Sequence, residues 1–262
     1  MGALALSCYP STYQPDFAQS AYGALAPSLL LAKTESDTLK THIWYNRGNK
    51  QKVSHRSKLN TNSSHANEQL LQATQRGDRE AVLKLLQEGA DINVRDAQGR
   101  TPVMIATYQH NTGMVRALFQ AGADVNICDN NKENPLLHAA AQGWLDILRL
   151  AIEAHADTRL INRFGGISII PASERGHVEI VRELLTYTDI NVNHVNNLRW
   201  TALLEAIMLS NGGKAHQQIV QLLIDYGADV NLADKDGVTP LQHARERGFT
   251  EIERILLQAG AH

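Results

Sequence analysis

A glycine-rich stretch, SNGGKAHQQ at residues 210–218, has the composition of a phosphate-binding loop. Such a loop needs the order G-x-x-x-x-G-K-[ST] after a strand, because its backbone amides and its lysine surround the phosphates. Here Gly212 and Gly213 are adjacent, and no Ser or Thr follows Lys214. The preceding run LLEAIML is helical by register. These departures favour a lengthened loop between two helices over a nucleotide site.

Eleven histidines raise a second question, whether the chain binds a metal. No two of them approach ligand spacing with Cys, Asp or Glu, as a zinc site requires. His177 and His243 also fall at repeat positions different from that of His138. The sequence shows no G-x-S-x-G elbow, no cysteine with a suitable histidine partner and no apolar pocket holding a carboxylate of shifted pKa. We therefore expect no catalytic residue, no metal ligand and no cofactor, and predict that the protein is not an enzyme.

The composition is that of a globular protein in water, with 43% hydrophobic, 20% charged and 5% aromatic residues. No run approaches the 18 or so apolar residues of a transmembrane helix, so we expect no membrane span. The two cysteines, Cys8 and Cys128, are far apart in sequence, which makes a disulfide framework unexpected. A reducing compartment fits this pattern, and we predict a cytoplasmic protein.

Residues 1–65 differ in charge from the rest of the chain. They carry seven Lys or Arg against three Asp or Glu, while residues 66–262 carry eighteen against twenty-four. Residues 1–32 hold no Lys or Arg, so we expect no secretory signal there. The polar stretch 46–67 has little to bury, and we predict that residues 1–65 are a poorly ordered extension ending in a basic linker. Its basic residues support an alternative function, a regulator whose N-terminal segment contacts nucleic acid.

From residue 66 onward the chain repeats itself. Asp91, Asp124 and Asp157 are each 33 residues apart. The repeated turn sequences are GADINVRD at 89–96, GADVNICD at 122–129, a worn HADTRLIN at 155–162 and GADVNLAD at 227–234. A second motif reads RTPVMIA at 100–106, ENPLLHA at 133–139, WTALLEA at 200–206 and VTPLQHA at 238–244. A fixed period of this length indicates stacked structural repeats.

This period and the Thr-Pro-Leu motif resemble those of the ankyrin repeat family, over about three quarters of the chain. The likeness extends to the small stand-alone ankyrin proteins of bacteria. It implies an all-α solenoid of about six helix-turn-helix units joined by β-hairpin fingers. We place the units at 66–97, 98–130, 131–163, 164–197, 198–235 and 236–262. It also implies that His138, in the signature motif, makes structural hydrogen bonds.

The repeat pattern also predicts local structure. Thr-Pro at 101–102 and 239–240 suits a helix start, since the threonine oxygen can cap a free amide and proline needs no bond there. Pro171 falls inside the first helix of the fourth unit, which predicts either a kink or, as we prefer, a helix that starts late. Five residues too many separate the two helices of the fifth unit, and SNGGKAHQQ contains them.

The family resemblance further implies that a protein partner binds to the fingers and to the row of first helices. Trp, Tyr and Arg often carry binding energy at such surfaces. We therefore predict a partner site that contains Tyr108, Arg163, Phe164, Arg175, Leu198, Trp200, Lys235 and Arg247. For Trp200 an equally good reading is that it packs on the neighbouring finger. The predicted function is a non-catalytic, monomeric protein-binding module.

Overall fold

A computed structural model describes the backbone of residues 52–262 and the side chains from residue 64 onward. These residues form twelve α-helices and, within that range, no β-strand, which confirms the predicted all-α repeat architecture. The helices are α1 (Lys52–Gln75), α2 (Arg79–Gln87), α3 (Pro102–Tyr108), α4 (Thr112–Gln120), α5 (Pro135–Gln142), α6 (Leu145–Glu153), α7 (Ile169–Glu174), α8 (Val178–Tyr187), α9 (Ala202–Met208), α10 (Lys214–Asp225), α11 (Pro240–Glu246) and α12 (Thr250–Gln258).

The helices form six consecutive pairs, one for each repeat unit. Within a unit the odd-numbered helix contacts the even-numbered one that follows it. Between units, each odd-numbered helix, called an inner helix here, contacts the next odd-numbered helix. The even-numbered helices from α4 to α12, called outer helices, contact one another in the same way and form a second layer. Each pair therefore covers the apolar face of its neighbours, as a solenoid requires.

The inner helices begin where the motif predicts. Thr101, Asn134, Thr201 and Thr239 are N-caps whose side-chain oxygens accept from the backbone amide three residues later. At α11 the cap is reciprocal, because Gln242 accepts from the Thr239 amide at 2.8 Å. Such caps satisfy amides that have no partner inside the helix.

One continuous apolar core runs through the stack from Leu70 to Ala261. Its inner-helix layer contains a fully buried alanine in each of the last five units, namely Ala106, Ala139, Ala172, Ala206 and Ala244. A small side chain at this position lets neighbouring helix backbones approach closely.

The first helix begins at Lys52, inside the stretch 46–67 whose composition predicts a linker. Its last part belongs to unit one and presents a polar face, where Glu68, Gln69, Gln72 and Gln75 are exposed. Residues 1–51, with Cys8 and most of the basic extension, lie outside the described residues.

The loop before each inner helix, called a finger turn here, differs from the predicted β-hairpin. It contains no strand, and a main-chain bond together with an Asp or Asn side chain closes it. In the turn before α9, Asn196 Oδ1 accepts from the amides of Leu198 and Trp200 at 2.9 and 3.0 Å. Asp96, Asp129, Asn162 and Asp234 do the same in the other turns. In each turn the amide of the first residue donates to the carbonyl four residues later, and the Asx bonds complete the turn locally, without a strand ladder.

A second series of side-chain bonds, called the asparagine ladder here, joins successive units. In it an asparagine Oδ1 accepts a backbone amide of the next unit at 2.8–3.1 Å, and Asn67 makes the same kind of bond to Asp91 within unit one. The acceptors are Asn67, Asn93, Asn126, Asn193 and Asn231. Between units three and four the equivalent residue is Arg159, which folds back onto Asp157. There Thr158 Oγ1 donates to Asp189 Oδ1 at 3.1 Å instead.

Pro171 does not kink its helix. α7 starts at Ile169 and spans six residues, so the proline is the third residue of the helix. Amides in the first turn have no intrahelical partner, and a proline there removes no bond. The preferred prediction of a late start is confirmed.

The insertion in unit five is divided between a loop and a helix. Compared with unit two, the loop before α10 is two residues longer and α10 itself is three residues longer. Gly212, with a φ of +67°, lies so close to the Phe249 ring that a Cβ would be 2.6 Å from it. His216 Nε2 lies 3.0 Å from the Glu174 carbonyl. The inserted residues therefore pack against both neighbouring units.

Candidate functional site

A groove of about 710 Å³ crosses units three to five. The finger turns before α5, α7 and α9 form one wall, and those three inner helices together with Tyr108 at the end of α3 supply the rest. Its apolar lining includes Phe164, Ile170, Pro171, Leu198, Trp200 and Leu209. Its charged lining consists of Glu133, Glu174, Glu205, Arg163 and Arg175. This region is called the groove below.

Three large apolar side chains of the groove are left open to solvent. Phe164 is 60% exposed, and Leu198 and Leu209 are each 51% exposed. Single exposed apolar residues are ordinary on a protein surface, but several around one concave site are typical of an interaction surface. Covering them would remove apolar area from water at roughly 25 cal/mol per Å².

Six of the eight predicted site residues line the groove. These are Tyr108, Arg163, Phe164, Arg175, Leu198 and Trp200. The other two, Lys235 and Arg247, are exposed next to α11 and lie outside the groove lining. Their part in any binding stays a prediction, as does that of the six. Trp200 is half-buried and lines the groove.

The two arginines at the groove are held by contacts within the chain. The Arg163 guanidinium lies 4.7 Å from the centre of the Phe164 ring, in a cation–π arrangement. Arg175 Nη1 donates to the Ala141 carbonyl at 2.5 Å. Across the described residues no ion pair joins either arginine to a carboxylate.

Tyr108 is fixed at the end of the groove nearer unit two. Its hydroxyl donates to Asp129 Oδ2 at 2.7 Å, and its ring meets that of His138 edge to face at 4.5 Å. Burial, together with the Asp129 carboxylate, raises the pKa of Tyr108 above its usual value. The ring is therefore a rigid wall with its polar end already bonded.

Glu205 lies on the floor of the groove and is only 5% exposed. Its Oε1 accepts from Asn196 Nδ2 at 2.7 Å, while Oε2 has no hydrogen-bond partner in the structure. Burial raises the pKa of Glu205 to about 7, the nearby Glu174 carboxylate adds to the effect, and the Asn196 bond opposes it. The expectation that no pocket holds a carboxylate of shifted pKa is therefore wrong.

Glu205 is also a groove residue that the sequence interpretation does not identify. It follows the N-cap Thr201 by four residues, the place that Ile105, His138 and His243 occupy after their own N-caps. His138 and His243 are thus equivalent, contrary to the sequence alignment. A charge directly before the buried alanine of the motif is the signal that would have identified Glu205.

The other chemistry considered from the sequence finds no support in geometry. Within residues 52–262, no group of three His, Cys, Asp or Glu side chains could hold a metal ion. Cys128 is half-buried, and burial raises the pKa of its thiol. Among the twelve helices of this part, none has both the length and the apolar character needed to cross a membrane.

Comparison with protein families gives one assignment. The family described as ankyrin repeats matches residues 70–162, 139–234 and 169–262, which together extend over most of the chain. A solved ankyrin repeat domain from Acinetobacter baumannii AYE is 52% identical with a TM-score of 0.72, and the match covers 74% of this chain and 98% of that one.

Two curated relatives match shorter regions. The putative ankyrin repeat protein YahD of Escherichia coli K12 is 58% identical over 82 residues, 31% of this chain and 41% of that protein. Protein phosphatase 1 regulatory subunit 27 of Mus musculus is 31% identical over 83 residues, 32% of this chain and 51% of that protein. The chain thus spans about half the length of these relatives or less.

Proposed function

Because the chain belongs to the ankyrin repeat family, we propose that it is a non-catalytic module that binds a protein partner in the groove. The observation that carries this proposal is the exposure of Phe164, Leu198 and Leu209 around one concavity. The surrounding shape is preformed, since Tyr108 and Arg175 are already bonded within the chain. A preformed apolar site loses little entropy when it binds a peptide segment.

The site extends over units three to five, which suits a partner segment in an extended conformation. Such a segment can place alternate side chains in the groove while its backbone follows the finger turns. Lys235 and Arg247 lie farther along the stack, where a longer partner would reach them.

The test is selection from a displayed library of random peptides, with the full chain as bait. We expect peptides to be enriched by the wild-type chain and lost when Phe164→Ala is combined with Leu198→Ala. Because both side chains are exposed, the double variant should keep its melting temperature, with less than about 0.5 kcal/mol lost per site.

A matched control is available on the outer helices. Tyr187 and Tyr226 are 61% and 46% exposed and lie outside the groove lining. The double variant Tyr187→Ala with Tyr226→Ala should enrich the same peptides as the wild type. Equal enrichment by the groove variant, or the absence of enrichment by the wild type, would refute the proposal.

A further inference from the structure

We infer that the groove receives a lysine or arginine side chain of the partner, which pairs with the carboxylates of Glu205 and Glu174. This inference rests on the proposed function and names the chemistry of the partner. It starts from Glu205 Oε2, a buried oxygen without a hydrogen bond on a residue that lines the groove.

A buried carboxylate oxygen without a hydrogen bond is unfavourable, because it has given up its water without replacement. The equivalent position at α11 has no such vacancy. There His243 Nε2 lies 2.8 Å from Asp234 Oδ2, and both side chains are almost fully buried. At α9 the equivalent residues are Asn196 and Glu205. They share one hydrogen bond, and Glu205 Oε2 is left without one. A hydrogen-bond donor from a partner would supply the bond that Glu205 Oε2 lacks.

The charges around the groove favour a cation as that donor. Glu174 lies close enough to disfavour the ionised form of Glu205, so two carboxylates face a common region. The third, Glu133, has a histidine beside it, with Oε2 3.8 Å from His138 Nδ1. Arg163 and Arg175 are engaged with Phe164 and Ala141, and neither neutralises Glu205. A buried pair of like charges is relieved by an opposite charge between them.

The walls suit the stem of a long basic side chain. Trp200 and Phe164 border the same space, and the methylene groups of Lys or Arg pack well on aromatic faces. The Arg163 guanidinium over the Phe164 ring is an example of the contact that a basic group makes with an aromatic side chain of the groove.

The titratable neighbours of α9 define what else could respond to pH. α9 packs against α7, α10 and α11. On these helices Glu174 acts directly on Glu205, Arg175 is bonded to Ala141, His216 to the Glu174 carbonyl, and His243 to Asp234. Cation binding favours the ionised Glu205, so binding should release a proton and tighten as pH rises.

The experiment compares peptides selected by the full chain and by its Glu205→Gln variant. We expect wild-type selections to be rich in Lys or Arg, and the Kd of a selected peptide to weaken about tenfold or more in Glu205→Gln. Glutamine retains an acceptor for Asn196, so the fold should persist. Replacing the basic residue of the peptide with norleucine should weaken wild-type binding similarly, and should add little loss in the variant.

A matched control is Glu246→Gln, which removes an exposed carboxylate from α11 outside the groove and should leave the Kd unchanged. A second variant, Asn196→Asp with Glu205→His, copies the closed pair at α11 and should abolish selection of basic peptides. For the wild type we expect the affinity to rise about tenfold between pH 6 and 8, and to stay flat in Glu205→Gln.

The possible failures can be told apart. Peptides that depend on Phe164 and Leu198 but lack a basic residue, or that ignore Glu205→Gln, overturn this inference and leave the proposed function standing. Selection of no groove-dependent peptide overturns both.

Discussion

The turn before α11 and the turn before α9 have the same geometry and different chemistry. In both, the first residue of the finger turn and the residue four after the N-cap form a buried pair, joined by a contact between their side chains. At α11 the pair is Asp234 with His243, and at α9 it is Asn196 with Glu205. Exchanging acceptor and donor keeps the hydrogen bond, but only the second pair leaves a carboxylate oxygen free.

The same contrast holds in the asparagine ladder. At the last joint Asn231 accepts the His262 amide, whereas at the joint between units three and four Arg159 has no equivalent bond to unit four. The ladder is regular at four of the five joints between units, and its one departure falls between two units that the groove crosses. This teaches that regular positions serve stability, while their exceptions are candidates for binding.

The largest effect should come from breaking the closed pair. In Asp234→Ala the Asp236 and Val238 amides lose their acceptor and His243 loses its partner. We expect the free energy of unfolding to fall by about 2–4 kcal/mol, measured by urea denaturation with circular dichroism. Peptide binding to the groove should survive at temperatures where the variant is folded.

Two controls sharpen that result. Asp234→Asn retains an acceptor for both amides and should lose less. Asp236→Ala removes an exposed carboxylate whose nearest cation, Lys235, is 3.9 Å away, and should be almost neutral. Hydrogen bonds from Val238 and His243 outweigh burial and lower the pKa of Asp234, so its contribution should hold at neutral pH and vanish in acid. Equal losses in Asp234→Ala and Asp236→Ala would contradict the assigned role.

The open pair should respond to pH in the opposite sense. Because the folded pKa of Glu205 is raised from 4.5 to about 7, the folded chain binds more protons between these values, and its stability falls as pH rises through them. We expect Glu205→Gln to be more stable than the wild type by about 1–2 kcal/mol at pH 8.5, after allowance for solvent screening, and equal to it near pH 4. Urea titrations at both pH values measure this. A constant difference across pH would show that ionisation is not the cause.

The smallest effect should come from completing the ladder. Arg159→Asn supplies the missing acceptor for the next unit and removes only an exposed ion pair with Asp157. We expect a gain of about 0.5 kcal/mol, against no gain in the control Arg159→Ala. Thermal unfolding of the three chains, run side by side, resolves the order. A loss in Arg159→Asn would mean that the worn turn cannot accept the regular bond.

Much of this fold was readable from the sequence, because repetition averages out local ambiguity. Thr101, Thr201 and Thr239 cap the helices that the motif predicts, and the late start of α7 at Pro171 follows from helix chemistry. The insertion was placed in the right unit. Its division between loop and helix was not predictable, since it depends on Phe249 in the next unit and Glu174 in the previous one.

The site was less predictable than the fold. The positions facing the groove follow from the repeat register, which is why six predicted residues lie together. Glu205 was missed because its character depends on Asn196, nine residues earlier, and on the burial of both. The presence of a glutamate in a helix motif indicates neither that its side chain is buried nor that one of its oxygens lacks a hydrogen bond.

The absence of an asparagine-to-amide bond at Arg159 also has a consequence for how units three and four are joined. At the other joints an asparagine accepts a backbone amide of the next unit, while here the bond at that level joins two side chains, Thr158 and Asp189, beside the Arg149–Glu183 and Arg175–Ala141 contacts. A hydrogen bond between two side chains can break and re-form when the side chains rotate, and no backbone amide loses its partner. The one position of the asparagine ladder that can open without unpairing a backbone amide therefore lies among the units that the groove crosses.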